Sequence, residues 1–155
     1  MNSYLTFGVG AESFAIEVSH VERIIKYSRL TEVPHLPSYI LGVLNMNGKP
    51  HMVFDSRKKL GVAEKEISDN SYIVILELLI DDKESKVGLL VDDVDEVIEI
   101  EESEIKPSPS IGTKYKSDVI NGVFSQGDKF IMHINMTKFI NTSEVLANNR
   151  ELIAS

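Results

Sequence analysis

The sequence FAIEVSHVERII at residues 14–25 returns in altered form as VGLLVDDVDEVI at residues 87–98. Aligned residue by residue, apolar positions match at Phe14, Ile16, Val18, Val21, Ile24 and Ile25. A second block recurs in the same order, in which Ile40, Gly42, Val43, Lys49 and Met52 correspond to Ile120, Gly122, Val123, Lys129 and Met132. Because both blocks recur in order, at a spacing too long for a solenoid repeat, the chain is predicted to fold as two similar lobes.

Apolar and polar residues alternate in short segments along most of the chain, which is the period expected of half-buried strands. Residues 4–18 predict a hairpin that turns near Gly10, and further strands are predicted over 21–27, 42–46, 52–54, 72–80, 86–91, 96–100, 120–124 and 129–135. Helices are predicted at 56–60, before Gly61, and at 142–152. Each lobe would hold about five short strands and a small core, so we expect the lobes to interlock and share apolar side chains. We assign residues 1–140 to this duplicated unit and 141–155 to a C-terminal helix and tail.

Composition narrows the class of protein and its partners. The chain has 155 residues, 43% of them apolar, which excludes disorder as its main state. Its net charge of −8 disfavours nucleic acid and anionic membrane surfaces as partners. The absence of cysteine excludes disulfides and thiolate chemistry. The apolar stretch 72–80 is too short to cross a membrane, and no secretory signal opens the chain, so we expect a cytoplasmic protein without direct membrane insertion.

Residue types used in catalysis and metal binding form no recognisable motif. The four histidines, at positions 20, 35, 51 and 133, lack metal-ligand spacing, and neither a nucleophile elbow nor a phosphate-binding glycine loop occurs. Residues 92–104 carry eight acidic side chains and no basic one, but they lack the spacing of a calcium loop. We therefore expect no enzymatic activity, no metal and no cofactor, and we interpret the acidic run as a solvated edge that favours a cationic partner.

The repeated V-x-x-[IV] pattern, Val21/Ile24 in the first copy and Val94/Val97 in the second, has two interpretations. Its side chains pack in the core, or they form an apolar groove at the junction of the lobes that accepts a helix of another protein. Because a junction has an inner and an outer face, both interpretations stay open.

An ordered set of motifs from about Tyr4 to Ile140 carries a resemblance to a known family. The set comprises LTF at 5–7, FAI at 14–16, VERII at 21–25, TEVPHLP at 31–37, YILGVLN at 39–45, DSR at 55–57, GLLVDDVDEV at 88–97, IKPSP at 105–109 and VINGV at 119–123. Together these motifs resemble the CheW family of chemotaxis coupling proteins. The resemblance implies an all-β fold of two five-stranded SH3-like barrels that share an apolar core, followed by a short C-terminal helix, and it implies a non-catalytic protein.

The same resemblance implies two protein partners. Members of the family bridge the cytoplasmic tip of methyl-accepting chemoreceptors to the regulatory domain of the histidine kinase CheA. Carried over to this sequence, the receptor-binding residues are Val21, Glu22, Ile24 and Val97. The kinase-binding residues follow the I-x-G-V motif and are Gly42, Asn45, Asn47 and Gly48.

One loop departs from the family pattern, because residues 45–48 read NMNG where the family reads N-L-R-G. Asn47 lacks the charge and the five hydrogen-bond donors of arginine. Glu22, the acidic residue expected to pair with that arginine, is predicted to pair with Arg23 or Lys49 instead. The departure bears on kinase coupling and leaves the fold unaffected.

Two alternative functions stay open beside the leading one. In the first alternative, the chain is a divergent scaffold of a pilus-type or other signalling pathway with altered kinase binding. In the second, it is a β-barrel that binds a small ligand or metal through His51 or the acidic run.

Overall fold

The computed structural model describes residues 2–61, 67–68, 70–80, 82–106 and 119–140. The strands in these residues are β1 (Asn2–Val9), β2 (Glu12–Glu17), β3 (Val21–Lys26), β4 (Ile40–Met46), β5 (Lys49–Asp55), β6 (Tyr72–Ile80), β7 (Lys83–Val91), β8 (Asp93–Ile100), β9 (Ile120–Gln126) and β10 (Lys129–Ile134). Two short helices, α1 (Ser56–Leu60) and α2 (Met136–Phe139), follow β5 and β10. No helix in the described residues is long and apolar enough to cross a membrane.

The strands form two five-stranded sheets, ordered β8-β1-β2-β10-β9 and β3-β6-β7-β5-β4. Neighbours are antiparallel except for one parallel pair in each sheet, β2 with β10 and β5 with β7. The first sheet closes on itself where Lys106 and Val123 exchange two backbone hydrogen bonds of 2.8 Å. The second closes where Thr31 and Val43 exchange bonds of 3.0 and 2.8 Å. We call these closed sheets barrel 1 and barrel 2.

The barrels exchange strands between the two halves of the sequence. Barrel 1 combines β1 and β2 with β8, β9 and β10, and barrel 2 combines β6 and β7 with β3, β4 and β5. When β1–β5 are matched in order with β6–β10, the two sheet orders become identical. The parallel pairs agree in register as well, because Ala15 lies opposite His133, and Gly88 opposite Val53, at corresponding positions of the repeat. The two five-stranded sheets expected from the sequence are present, and each contains strands from both halves of the chain.

Buried apolar side chains form a core common to both barrels. Its largest cluster joins Phe14 of barrel 1 to Phe54 and Leu89 of barrel 2, and all three are fully buried. Each barrel adds a smaller cluster of its own, around Tyr4 in barrel 1 and around Ile73 in barrel 2. Burial of apolar surface is the main term that stabilises a folded chain, so neither barrel is energetically independent of the other.

The glycine of the repeated I-x-G-V motif allows each barrel to close. Gly42 and Gly122 lie beside register shifts in β4 and β9. A Cβ atom at either position would lie 2.6 Å from a backbone carbonyl oxygen, that of Thr31 or of Lys106. Since a side chain cannot be accommodated that close to backbone, glycine is required at both positions.

A buried ion pair fixes the helix that follows β5. The Asp55 carboxylate accepts the backbone N–H of Arg57 at 3.0 Å and the guanidinium Nε and Nη2 at 2.8 Å each. Both side chains are buried, and Gly61 ends the helix with a φ of 74°. Helix α2 begins at the corresponding point of barrel 1, where the Asn135 side chain accepts the Lys138 N–H at 3.2 Å.

All predicted strands are present, and helix 56–60 is confirmed. Strands β5 and β7 start earlier than predicted, at Lys49 and Lys83, because cross-strand pairing continues into the polar residues beside each turn. Helix α2 was not predicted, since the alternation of β10 gave no sign of a change after Ile134. The helix predicted at 142–152 lies outside the described residues.

Candidate functional site

The V-x-x-[IV] pattern lies on β3 and β8, which occupy matching ends of the two sheet orders. Val21 and Val94 are partly buried and pack against the shared core. Ile24 and Val97 face solvent, with 39% and 58% of their surface exposed. The first residue of each motif is therefore a core residue and the second an exposed apolar residue, so both interpretations of the pattern apply.

Three of the four residues predicted to bind the receptor share one strand. Val21, Glu22 and Ile24 lie on β3 of barrel 2, whereas Val97 lies on β8 of barrel 1 at the position corresponding to Ile24. Glu22 is the extra residue of a β-bulge, because Val21 and Arg23 pair with consecutive residues of β6. A bulge changes the direction of the side chain it carries, which explains why Glu22 reaches across the sheet.

The Glu22 carboxylate pairs with a cation from β7. The Lys86 Nζ lies 3.1 Å from Glu22 Oε1, and the Arg23 Nη2 lies 3.7 Å from the same oxygen. The prediction that Glu22 pairs with Arg23 is therefore confirmed, although Arg23 is the more distant of the two contacts. The prediction that Glu22 pairs with Lys49 is wrong within the described residues. Lys86 was missed because it is remote from Glu22 in sequence, and the opposite charge of the two residues was the only available signal.

Three of the residues predicted to bind the kinase, Asn45, Asn47 and Gly48, lie exposed at the tip of the β4–β5 hairpin. Met46 and Lys49 pair across a two-residue turn in which Asn47 and Gly48 have φ angles of 52° and 78°. Two positive φ angles are the signature of a type I′ turn, for which Asn-Gly is strongly preferred. Asparagine also enters the left-handed region more readily than arginine, so the NMNG departure has a conformational basis.

Gly42, the fourth predicted kinase-binding residue, does not share that surface. It is buried at the far end of β4, against Thr31, and supports closure of barrel 2. Pro50 lies near the start of β5, before the ladder with β7 begins at Val53, as expected for a residue that donates no hydrogen bond.

A groove of about 590 Å³ runs beside the hairpin tip. One wall is the β4–β5 hairpin, which contributes Asn47 and His51, and the other is the β6–β7 hairpin, which contributes Glu77, Glu84 and Lys86. The groove was not predicted, because it depends on how two hairpins are placed rather than on a local pattern. It extends the surface around Asn47 to the residue that pairs with Glu22.

Two exposed apolar side chains lie apart from β3 and β8. Leu79 on β6 is 72% exposed and Phe130 on β10 is 65% exposed. Leu79 lines a groove of about 400 Å³ with His20 and Met136, where barrel 2 meets α2. Neither residue was predicted from the sequence to be an exposed site.

The start of the acidic run has a structural role. The Asp92 carboxylate accepts the Gly10 N–H at 2.6 Å, which ties it to the β1–β2 turn. Nearby, the Thr6 hydroxyl donates to the Glu96 carbonyl at 2.8 Å and accepts the Glu96 N–H at 3.1 Å. In the described residues, His, Asp and Glu side chains do not gather in a group of three or more that could hold a metal ion.

His133 is a buried titratable group inside barrel 1. Its ring packs edge-on against Tyr4 with 5.0 Å between centroids. Burial lowers the pKa of His133, the Glu17 carboxylate opposes that effect, and His20 lowers the pKa further. The residue therefore favours the neutral form in the folded protein.

The fold and these surfaces define a class of protein. The interlocked barrels present exposed apolar side chains on two edge strands and a rigid polar turn at a hairpin tip. Apolar anchors rimmed by polar groups are typical of surfaces that bind other proteins. The chain is thus a protein-binding module built from twin SH3-like barrels.

Comparison with known proteins agrees with that class. The family model described as CheW-like domain matches residues 3–144. The chemotaxis protein CheW of Bacillus subtilis (strain 168) is 36% identical over 115 residues, which are 74% of this chain and 70% of that protein. The chemotaxis protein CheW of Thermotoga maritima is 29% identical over 139 residues, covering 88% and 85%. The crystal structure of the scaffolding protein TtCheW from Thermoanaerobacter tengcongensis matches with a TM-score of 0.82 and 31% identity, over 94% of this chain and 92% of that one.

The chain belongs to the CheW-like family, as its sequence motifs indicated. It is a non-catalytic adaptor of chemotaxis that couples receptors to the kinase CheA. The two alternative functions left open by the sequence receive no support.

Proposed function

We propose that this adaptor binds a chemoreceptor tip through β3 and β8 and the regulatory domain of the histidine kinase CheA through the β4–β5 hairpin. The receptor-binding residues in this proposal are Val21, Glu22, Ile24 and Val97. The kinase-binding residues are Asn45, Asn47 and Gly48, supported from within by Gly42. We further propose that the protein acts in the cytoplasm, where the chemoreceptor tip and the kinase regulatory domain would be available to bind it.

The exposure of Ile24 is the observation that carries the receptor surface. It lies three residues after the core residue Val21 on an edge strand, and Val97 repeats this arrangement on β8. Exposed aliphatic side chains at fixed positions of a rigid sheet serve as anchors for the apolar face of a partner helix. Glu22 between them adds a charge that selects among partners more than it adds affinity.

The rigidity of the hairpin tip supports the kinase surface. A two-residue type I′ turn fixes the direction of Asn45 and Asn47 before binding, so little conformational entropy is lost on association. The neighbouring groove offers a concave surface of mixed polarity, where Lys49 and Glu77 lie at its walls.

Calorimetric titration of the full chain tests both surfaces, with a receptor-tip fragment and the kinase regulatory domain as separate ligands. Ile24→Ser is expected to weaken receptor binding about tenfold, since a central aliphatic anchor contributes more than about 1 kcal/mol. Kinase affinity should stay unchanged. Phe130→Ser changes a still more exposed apolar residue, 65% against 39% for Ile24, outside the proposed receptor surface; it is the control and should leave receptor affinity unchanged.

The kinase surface has its own matched pair of variants. Asn45→Ala is expected to weaken kinase binding about threefold to tenfold, while Ser125→Ala, at the corresponding position of β9, should have no effect. If the chain binds neither ligand, the proposed coupling of these partners fails although the fold stands. If Ile24→Ser binds the receptor fragment as the unaltered chain does, the assignment of β3 is wrong.

A further inference from the structure

Lys86 makes two contacts that reach different candidate surfaces. Its Nζ lies 3.1 Å from Glu22 Oε1, on the bulge of β3. Its backbone carbonyl oxygen lies 3.1 Å from the Nδ1 of His51 on β5. Because a carbonyl oxygen only accepts, the His51 ring donates this bond from Nδ1. One residue therefore contacts both the strand proposed to face the receptor and the hairpin proposed to face the kinase.

The contact with His51 lies outside the β5–β7 ladder, although Lys86 still pairs with Glu77 of β6. The parallel ladder between β5 and β7 begins at Val53 and Gly88, so His51 and Lys86 precede its first pair. His51 itself pairs with Leu44 of β4. The hydrogen bond from the His51 ring to the Lys86 carbonyl thus holds the β4–β5 hairpin against β7 at a point outside the β5–β7 ladder.

The contact with Glu22 has the properties of an adjustable link. The Lys86 side chain is 34% exposed and the Glu22 side chain 23% exposed, so both are within reach of a docked partner. A partly solvated ion pair of this kind is weak enough to be displaced by a cation that a partner brings. Lys86 also lines the groove beside Asn47, so a change in its position alters the wall of the proposed kinase surface.

We propose that Lys86 is a positioning residue that joins the two surfaces: its ammonium group holds Glu22, and its carbonyl oxygen holds His51. The functional part of this inference rests on the proposed assignment of the surfaces. Occupation of Glu22 by a receptor side chain releases the Lys86 ammonium group and shifts the β7 backbone that supports the hairpin. Receptor and kinase then bind with linked affinities, as any coupling between two sites requires.

Nuclear magnetic resonance of the imidazole nitrogens in the full chain tests the link without any partner. Glu22→Gln and Lys86→Met are each expected to shift the Nδ1 resonance of His51, and the double variant should shift it no more than Lys86→Met alone. Lys86→Arg, which keeps the cation, should restore the original resonance. The ring of His133, buried in barrel 1, serves as the internal control and should not move in any variant.

Calorimetry then tests the functional part, by titrating the kinase domain with and without saturating receptor fragment. The unaltered chain is expected to show a change in affinity of about fivefold, which Lys86→Met abolishes and Lys86→Arg retains. If Glu22→Gln leaves the His51 resonance in place, the link is absent and the inference is overturned whatever the partners do. If the resonances shift but each partner binds equally well with and without the other, the coupling is overturned. If neither partner binds at all, the proposed function fails, while the resonances still decide the position of Lys86.

Discussion

Barrel 1 and barrel 2 share a bulged edge strand, a closing pair of hydrogen bonds and a short helix, which follows β10 in barrel 1 and β5 in barrel 2, yet their edge strands differ in charge. Strand β3 reads VERIIK and mixes both signs, whereas β8 reads DVDEVIEI and is acidic throughout. Most matching positions pack in the core or approach backbone, but Ile24 and Val97 also match, and both face solvent. The charged residues around these two side chains differ between the strands. The two barrels thus share a core pattern and an exposed apolar residue, while the surrounding charge is specific to each barrel.

The helices after β5 and β10 differ most in what holds them, and they give the largest expected effect. Arg57→Leu leaves the buried Asp55 carboxylate without its cation and should cost about 3 to 5 kcal/mol of unfolding free energy. Asn135→Ala removes only a cap and should cost about 1 kcal/mol. Urea denaturation at neutral pH measures both. Equal losses would mean that the ion pair adds nothing beyond capping.

The two barrels should lose similar amounts of stability when the glycine that allows each to close is replaced. Gly42→Ala and Gly122→Ala each place a Cβ atom 2.6 Å from a carbonyl oxygen and should each cost about 1 to 3 kcal/mol. Asn45→Ala, on the exposed part of the same β4 strand, should change stability by less than about 0.5 kcal/mol. Denaturation midpoints of the three variants provide the measurement. A large loss at one glycine and none at the other would show that the two closures are not equivalent.

His133 and Val53 occupy corresponding positions, and only the histidine titrates. Burial lowers the pKa of His133 from its ordinary 6.5, so the unfolded chain binds more protons in the window just below that value. Stability should therefore fall as the pH decreases through this window, and less so in His133→Val. Unfolding free energies at about pH 7.5 and about pH 5.5 give the comparison, and only the difference between the two pH values matters. If the unfolding free energy fell equally between the two pH values in the unaltered chain and in His133→Val, folding would not lower the pKa of His133.

Short-range order in the sequence was enough to predict the strands and the duplication. Alternation locates β1 to β10 because each strand has one face in a core, and the glycine of I-x-G-V marks a close approach of backbone. The exchange of strands between barrels was not predicted in detail. The alternation of apolar and polar residues predicts which face of a strand is buried, but it does not predict which strand pairs with it.

The candidate surfaces were predictable only in part, for a related reason. Ile24 and Val97 followed from the repeated motif, but the motif left open which of its residues pack in the core, and the structure shows that Val21 and Val94 do. The pairing of Glu22 with Lys86 depends on a bulge that turns one carboxylate, which is a property of the folded sheet. Contacts between distant residues of this kind lie beyond periodicity and composition.

Simultaneous binding of both partners is the most direct test of an adaptor. Sedimentation of the full chain mixed with a receptor-tip fragment and the kinase regulatory domain should reveal one species containing all three, since the β3 edge and the β4–β5 turn are separate surfaces. Competition, in which the kinase domain displaces the receptor fragment and the three-component species never forms, would contradict the account.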